Sequence, residues 1–223
     1  MTEYTASKAT NTSTTVVENG APSIAGMPTP VSKADAVGYT WITQSQAQML
    51  AKKMGEEYGY GETTSSLMFG VQWGAVCVFL EKYGTLSDGI TKFNSNYLTN
   101  NECGKLWGNY YKATFPMDRG YYNEYYSGSG AFFNGWEEAA ETAKGTNETW
   151  LCTTGASEQN KALNIYDFGG NLSEFTLERY SNSVYPVTDR GGYFYNVNYA
   201  SGRYTNNTYK SYCNYSARPS LFL

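Results

Sequence analysis

The sequence predicts one α+β domain in which helices and sheet segregate. Two stretches with helical periodicity lie in the first 85 residues, a long segment rich in Gly, Asn and Tyr follows, and strand-like pieces lead to the end of the chain. This succession of helical, loop-rich and strand-like segments indicates the α+β class. A chain of 223 residues is also long enough to bury a core of ordinary size.

Residues 1–38 are predicted to form a flexible leader, or a linker from an upstream assembly. They are rich in Thr, Ser, Ala, Asn and Pro and show little periodicity. Pro28 and Pro30 suit an extended approach to the domain. The folded domain is therefore expected to comprise residues 39–223.

The first helix is predicted over residues 44–57. Thr43 and Gln46 have the spacing of a capping box, in which each side chain satisfies a backbone N–H at the start of a helix. Glycines between Gly55 and Gly59 are expected to end the helix. Apolar residues recur at helical spacing on one face: Ala47, Leu50, Ala51 and Met54.

A second helix is predicted over residues 65–83. Trp73 is expected in the core, Cys77 is expected to be a buried small hydrophobe, and Gly70 and Gly74 would allow close approach of another backbone. The apolar face of this helix is predicted to comprise Leu67, Met68, Val71, Ala75, Val78 and Phe79.

The middle of the chain carries weaker signals. Residues 84–135 are loop-like, and a run of that length should contain short elements that the pattern does not locate. A short helix is predicted over residues 136–144, with Asn134 as its cap and Glu137 three residues later. The apolar residues 217–223 are expected to pair as a final strand.

Composition argues against several classes of function. A net charge of −4 disfavours binding to phosphates, so nucleic acid is not expected as a partner. No apolar run approaches the roughly 18 residues of a membrane helix, and the first residues lack the pattern of a signal peptide. The chain has no His, which removes the commonest general base and imidazole ligation of metals. The four Cys, at positions 77, 103, 152 and 213, match no CxxC metal or redox spacing.

The segment from Gly191 to Ala217 has the composition of a recognition surface. Tyr, Asn, Ser and Gly occupy eighteen of its twenty-seven positions. Tyr offers a large rigid contact area, and Asn, Ser and Gly supply adaptable hydrogen bonds. Tyr and Asn are also common in solvent-facing strands and turns, but seven Tyr exceed what such a face needs. The predicted ligand-binding residues are Tyr193, Tyr195, Asn196, Asn198, Tyr199, Tyr204, Asn206, Asn207, Tyr209, Tyr212, Asn214 and Tyr215.

A motif in the last third of the chain resembles a known family. It reads Asn164-Ile165-Tyr166-Asp167-Phe168-Gly169-Gly170-Asn171-Leu172-Ser173-Glu174-Phe175-Thr176, followed by Arg190-Gly191-Gly192 and by Ala217-Arg218-Pro219. Over residues 160–223 this is similar to the formylglycine-generating-enzyme-like (sulfatase-modifying factor) branch of the C-type lectin fold. The resemblance implies two helices packed on small antiparallel sheets with long loops.

Two activities occur in that family. Formylglycine-generating enzymes carry two copper-binding Cys shortly after the Arg-Gly-Gly element, whereas no Cys occurs here between Gly192 and Tyr212. Variable proteins of diversity-generating retroelements use the same fold to display a segment diversified at adenines. Asn codons contain two adenines, and their substitution yields residues such as Tyr, Ser, Asp and Gly, which is close to the vocabulary found here. The resemblance therefore implies a variable protein with segment 190–217 hypervariable.

What this resemblance implies is ligand display without catalysis, metal or cofactor. The expected ligand is a macromolecule, either a cell-surface protein or a glycan. The expected location is a virion or a cell surface of a phage or bacterium, reached without a signal peptide of its own. The alternatives are a copper-dependent oxidase, a Ca²⁺-dependent sugar-binding lectin, which would lack the usual Glu-Pro-Asn or Gln-Pro-Asp tripeptide, and a purely structural virion protein.

The motif residues themselves have predicted roles in the frame. Gly169 and Gly170 are expected at positive φ, and Asn171 is expected to bind backbone through its side chain. Glu174 would tether a loop or, with Asp167 and Asn171, ligate Ca²⁺; three oxygen ligands fall short of the six to eight that Ca²⁺ takes. Phe175 is expected in the core. Two arginines would brace the variable segment by pairing with nearby carboxylates: Arg190 and Arg218, with Asp167, Glu174 or Asp189.

Overall fold

The computed structural model describes residues 23–59, 61, 63–133, 135–139 and 141–222, and within them the fold is α+β. The helices are α1 Gln44–Tyr58, α2 Gly70–Tyr83, α3 Ser95–Thr99, α4 Asn101–Gly104 and the 3-10 helix η1 Glu158–Asn160. The strands are β1 Thr64–Leu67, β2 Phe115–Met117, β3 Tyr121–Tyr126, β4 Ala131–Phe132, β5 Glu137–Glu138, β6 Thr142–Lys144, β7 Trp150–Cys152, β8 Lys161–Ala162, β9 Ile165–Tyr166, β10 Ser173–Arg179, β11 Val187–Arg190, β12 Arg203–Asn206, β13 Tyr215–Ala217 and β14 Pro219–Phe222.

Helix α1 confirms its predicted signals. The Thr43 side chain accepts a hydrogen bond from Gln46 N–H, and Thr43 N–H donates to Gln46 Oε1 at 3.0 Å, which completes the capping box. The helix ends at Gly59, whose φ of 59° is left-handed and favours glycine. The predicted apolar face is buried: Ala47, Leu50, Ala51 and Met54.

The predicted helix over 65–83 is wrong in its first part. Thr64–Leu67 is strand β1, which pairs antiparallel with β14 at the end of the chain, as Thr64↔Phe222 through Leu67↔Pro219. The partner strand lies about 150 residues away, so nothing local signals the pairing. The prediction that the end of the chain pairs as a final strand is confirmed, as strand β14.

Helix α2 also buries a different face from the one predicted. Val71, Val78 and Phe79 are 82%, 64% and 45% exposed, whereas Trp73 and Leu80 are fully buried. Trp73 stacks on Phe168 at a ring-centroid distance of 4.1 Å. Because apolar residues lie on more than one side of this helix, periodicity alone does not identify the side that meets the core. The core position of Trp73 is confirmed.

The predicted helix over 136–144 is wrong. Glu137–Glu138 is strand β5 on β3, and Thr142–Lys144 is strand β6 on β2. Pairing with distant strands overrides the local helical signal. The proposed cap, Asn134, lies outside the described residues.

Parts of the predicted leader contact the rest of the described chain. Met27 is 5% exposed in the core cluster around α1, and Asp35 N–H donates to the carbonyl of Thr154 at 2.8 Å. The remainder of the predicted leader, residues 1–22, lies outside the described residues.

A four-stranded sheet in the order β12-β11-β10-β13 positions the C-terminal segment. Strands β10, β11 and β12 are antiparallel, whereas β10 and β13 are parallel, with Ser173↔Tyr215 and Phe175↔Ala217 in register. The other small sheets are antiparallel, so the prediction of small antiparallel sheets holds except at this pair. Phe175 is 1% exposed, which confirms its core position.

Candidate ligand-binding surface

Buried anchors hold the Tyr- and Asn-rich segment to the rest of the domain. The indole N–H of Trp73 donates to the carbonyl of Ala200 at 3.0 Å, and the Tyr110 hydroxyl donates to the carbonyl of Gly191 at 2.8 Å. Phe194 and Ala200 are fully buried. The segment is therefore fixed at several points, although much of it is loop.

The Arg-Gly-Gly element requires glycine for steric reasons. Gly192 has a φ of 73°, and a Cβ there would lie 2.6 Å from the Cβ of Asn198. Within the Asn-containing motif, Gly170 also has positive φ, whereas Gly169 does not. The prediction for Gly169 was therefore wrong, and Asn171, at a φ of 60°, takes the second left-handed position instead.

Three of the twelve predicted binding residues are buried and serve the frame. Asn198, Asn214 and Tyr215 are 1%, 2% and 7% exposed. Asn198 Oδ1 accepts hydrogen bonds from Tyr199 N–H and from the Tyr204 hydroxyl. Asn214 Oδ1 accepts one from Tyr195 at 3.0 Å. A polar residue in such a segment can satisfy buried groups as readily as it can face a ligand.

The other nine predicted residues reach the surface. Asn196, Tyr204 and Tyr209 are exposed, with Tyr209 at 60%. The half-buried members are Tyr193, Tyr195, Tyr199, Asn206, Asn207 and Tyr212. The structure thus brings most of the predicted tyrosines and amides to solvent while their neighbours remain in the core.

Several half-buried tyrosines form one aromatic cluster. Tyr195 lies 4.5 Å from Tyr193 and 4.7 Å from Tyr125 between ring centroids. Tyr212 contacts Trp41 at 5.0 Å. Such ring contacts add to the free energy of burial and restrict side-chain rotation, so these residues are preorganised.

A cleft of about 370 Å³ opens beside edge strand β12. The residues around it are Asp189, Tyr193, Asn196, Arg203, Tyr204, Thr205, Asn206 and Tyr215. Asp189 is 1% exposed; its carboxylate accepts hydrogen bonds from the Ser173 hydroxyl and the Asn206 amide. Burial raises the pKa of this carboxyl from its ordinary value to about 7.

Sequence reasoning missed Asp189, Arg203 and Thr205 as cleft residues. Asp189 was considered only as a partner for an arginine. The signal that places it is the antiparallel register Asp189↔Tyr204, which follows from β11 pairing with β12 and which no local pattern contains.

Two half-buried arginines brace the segment through ion pairs, one with a predicted partner and one with a different partner. Arg218 donates to both oxygens of Glu174, at 2.7 and 2.9 Å, and to the carbonyls of Tyr166 and Asp167. Arg190 pairs with Glu178 at 2.6 Å, and not with the carboxylates predicted for it. The Arg203 guanidinium also contacts Glu178.

The three side chains considered for Ca²⁺ each have protein partners. Asp167 Oδ2 accepts from Gly155 N–H at 2.8 Å, and Glu174 is paired with Arg218. Asn171 accepts from Cys152 N–H and donates to its carbonyl, both at 3.0 Å, as expected for an asparagine that binds backbone. Among the described residues, no group of three or more Cys, Asp or Glu could together hold a metal ion.

The four cysteines are free thiols. No disulfide links Cys77, Cys103, Cys152 and Cys213. Burial raises the pKa of Cys213 to about 12 and that of Cys77 to about 11, so both stay neutral at pH 7. Cys77 is half-buried against the core residues around Trp73 and Phe168, and so is less buried than predicted.

Comparison with known proteins adds no assignment. No model of a known protein family matches the chain, and no curated protein matches it in sequence. In the part of the chain that the structure describes, no helix combines the length and apolarity needed to cross a bilayer.

Proposed function

We propose that this chain is a ligand-binding protein that recognises a macromolecule through its Tyr- and Asn-rich C-terminal surface. The observation that carries the proposal is the division of segment 190–217 into a buried frame and an outward set of tyrosines and amides. Tyrosine-rich surfaces held on a rigid scaffold are typical of proteins that bind varied ligands. Catalytic, metal and cofactor roles have no part in the proposal.

We further propose a C-type lectin fold of the formylglycine-generating-enzyme-like type, and a role as the variable protein of a diversity-generating retroelement. What supports this is that residues of the motif that resembles this family make the buried contacts beneath the Tyr- and Asn-rich surface. Asn171 binds the backbone of Cys152, Glu174 binds Arg218, and Gly192 packs against Asn198. A frame of this kind would keep its shape while exposed positions change.

The ligand we propose is a cell-surface protein or glycan, met at a virion or cell surface of a phage or bacterium. The aromatic cluster and the cleft lie side by side along the same segment, since Tyr193 belongs to both. An extended surface of preorganised aromatic side chains suits a partner larger than a single small molecule.

The binding test replaces Tyr199, Tyr204 and Tyr209 together by Ala. Fluorescently labelled protein is titrated onto intact bacterial cells and onto immobilised glycans to which the wild type binds. We expect at least a tenfold loss of affinity, because exposed aromatic anchors dominate interface energies. A matched triple variant replaces exposed tyrosines elsewhere, Tyr58, Tyr83 and Tyr121, which are 42%, 53% and 44% exposed, and should bind as the wild type does. A folded triple variant of the surface that binds normally would contradict the proposal.

The retroelement role has a separate test that needs no ligand. The DNA flanking the gene is searched for a near-copy of codons 190–223 that differs only at adenines, beside a reverse-transcriptase gene. A near-copy whose differences cluster at the exposed positions and spare Asn198 and Asn214 is the expected result. If a complete flanking sequence contains no such near-copy, the retroelement role is refuted, whereas the proposal of ligand binding is not affected.

A further inference from the structure

The cleft beside β12 is lined at its base by the buried carboxylate of Asp189, which has no ion-pair partner among the described residues. Asp189 is 1% exposed, and its two hydrogen-bond donors, the Ser173 hydroxyl and the Asn206 amide, carry no net charge. Within the part of the chain that the structure describes, Asp189 takes part in no ion pair. Burying an ionised carboxylate without a counter-ion is costly, which is why burial raises the pKa of Asp189 to about 7.

The neighbouring arginines do not supply the missing charge. In the antiparallel register Asp189 lies opposite Tyr204, and Arg190 lies opposite Arg203. Because side chains alternate along a strand, Asp189 and Tyr204 share one face of the sheet, and the two arginines share the other, where both contact Glu178. Glu178 holds both guanidinium groups, so Arg203, although it borders the cleft, forms its ion pair with Glu178 and none with Asp189.

The titratable groups that face Asp189 are three tyrosines and one lysine. Tyr204 comes from β12, Tyr215 from β13 and Tyr193 from the loop after β11, and each experiences the charge of Asp189. The lysine is Lys210, whose Nζ is 5.9 Å from the centroid of the Tyr215 ring. It forms no ion pair with Asp189, and its charge lowers the pKa of that carboxyl by less than burial raises it. Burial raises the pKa of each tyrosine, so all three remain neutral at pH 7 and add no second negative charge beside Asp189. The Tyr215 ring stacks on Phe175, and the exposed ring of Tyr204 can contact a cation.

We propose that the cleft takes the cationic end of a Lys or Arg side chain presented by a protein ligand, with Asp189 as its counter-ion and Tyr193, Tyr204 and Tyr215 around it. This inference rests on the proposed function, since it names the chemistry of the ligand at that same surface. Asp189 precedes the segment 190–217. Its preference for a cation would therefore be shared by variants that differ in their exposed tyrosines and amides.

The first experiment titrates wild-type protein carrying ¹³C-labelled tyrosine with butylammonium chloride and with ethylguanidinium chloride at pH 8. We expect saturable shifts at the rings of Tyr193, Tyr204 and Tyr215, and none with NaCl at the same ionic strength. Affinity should fall about thirtyfold between pH 8 and pH 5.5, since protonation with a pKa of about 7 removes the counter-ion. The neutral probes are 1-butanol, as isostere of the ammonium, and methyl α-D-glucopyranoside, as a sugar.

The second experiment compares two carboxylate-to-amide variants. Asp189→Asn keeps the shape of the side chain and an oxygen that accepts the hydrogen bond from the Asn206 amide. This variant should lose both the chemical-shift response to the two cations and the pH dependence of that response. Asp167→Asn changes a carboxylate that instead accepts from Gly155 N–H, and should respond like the wild type. Each variant is first checked for a wild-type far-ultraviolet circular dichroism spectrum.

Two outcomes would overturn the inference. One is a folded Asp189→Asn variant that binds the cations as the wild type does; the other is a saturable response to the sugar or the alcohol without a response to the cations. These outcomes differ from a failure of the proposed function. Normal cell binding by the variant with Tyr199, Tyr204 and Tyr209 replaced refutes the proposed function. Normal cell binding by Asp189→Asn refutes only the inference that the cleft binds a cationic side chain of the ligand.

Discussion

Asp189 shows how burial changes the behaviour of one side chain. In the unfolded chain its carboxyl loses its proton near pH 3.8, whereas in the folded protein the pKa is about 7. Between these values the folded state holds a proton that the unfolded state has released. The contribution of this group to stability is therefore full at low pH and is lost as the pH rises towards 7.

Replacing Asp189 by Asn should stabilise the protein at pH 8 and leave it little changed at pH 4. The expected gain at pH 8 is up to about 4 kcal/mol, because the variant no longer buries an unpaired negative charge. Urea unfolding of both proteins at pH 4, 6 and 8 measures it. An equal or lower free energy of unfolding for the variant at pH 8 would contradict this account.

The choice of binding residues was partly predictable from sequence. Composition identified the segment, and nine of its twelve predicted residues reach the surface. It did not separate Asn198 from Asn196, although the first is buried and the second is exposed. The separation depends on Gly192, against whose backbone Asn198 packs, and on the anchors from Trp73 and Tyr110. These contacts come from distant parts of the chain, so residue type alone cannot reveal them.

Among the elements, α1 and α2 differ in how much the sequence reveals. Helix α1 has a capping box, a left-handed glycine at its end and one apolar stripe, and all three signals are local. Helix α2 is apolar on more than one side, and its buried side is selected by the aromatic partner Phe168. Periodicity therefore located the helix but not its orientation.

Two truncations on α2 test this orientation. Leu80→Ala should cost about 2–5 kcal/mol of unfolding free energy, because it empties a fully buried site. Val78→Ala should change it by less than about 0.5 kcal/mol, because Val78 is 64% exposed. Urea denaturation compares the two variants with wild type at equal pH and salt. A larger loss at Val78 than at Leu80 would mean that the face predicted from sequence is the buried one.

At the scale of the whole molecule, the end of the chain joins elements that are far apart in sequence. Strand β14 pairs with β1, β13 pairs with β10, and Arg218 between them pairs with buried Glu174. The Arg218 guanidinium also donates to the carbonyls of Tyr166 and Asp167. One side chain thereby connects the terminal strands to the loop that precedes β10.

Replacing Arg218 by Met should cost about 3–5 kcal/mol at pH 7, because Glu174 would be left buried without a counter-ion. The loss should shrink towards pH 4, since burial already raises the pKa of Glu174 and protonation removes the unpaired charge. Thermal and urea unfolding at both pH values measure this.

A matched control for Arg218→Met is Arg119→Met. Arg119 pairs with Glu158, and both side chains are about 40% exposed, so the loss should be below about 1 kcal/mol. Equal losses for the two variants would show that the Arg218 pair does not brace the fold.

By itself, the sequence determined the α+β class, helix α1, the core positions of Trp73 and Phe175, and a C-terminal segment rich in contact-forming residues. Helix α1 and the C-terminal segment depend on signals within a few residues of one another, such as a cap, a period or a local composition, and the class follows from the order of such segments along the chain. Tertiary structure alone decided that Thr64–Leu67, Glu137–Glu138 and Thr142–Lys144 are strands, which side of α2 is buried, and that Asp189 lies under the cleft. In those cases the deciding partner comes from a distant segment, and the free energy of pairing and burial that it provides exceeds the local preference.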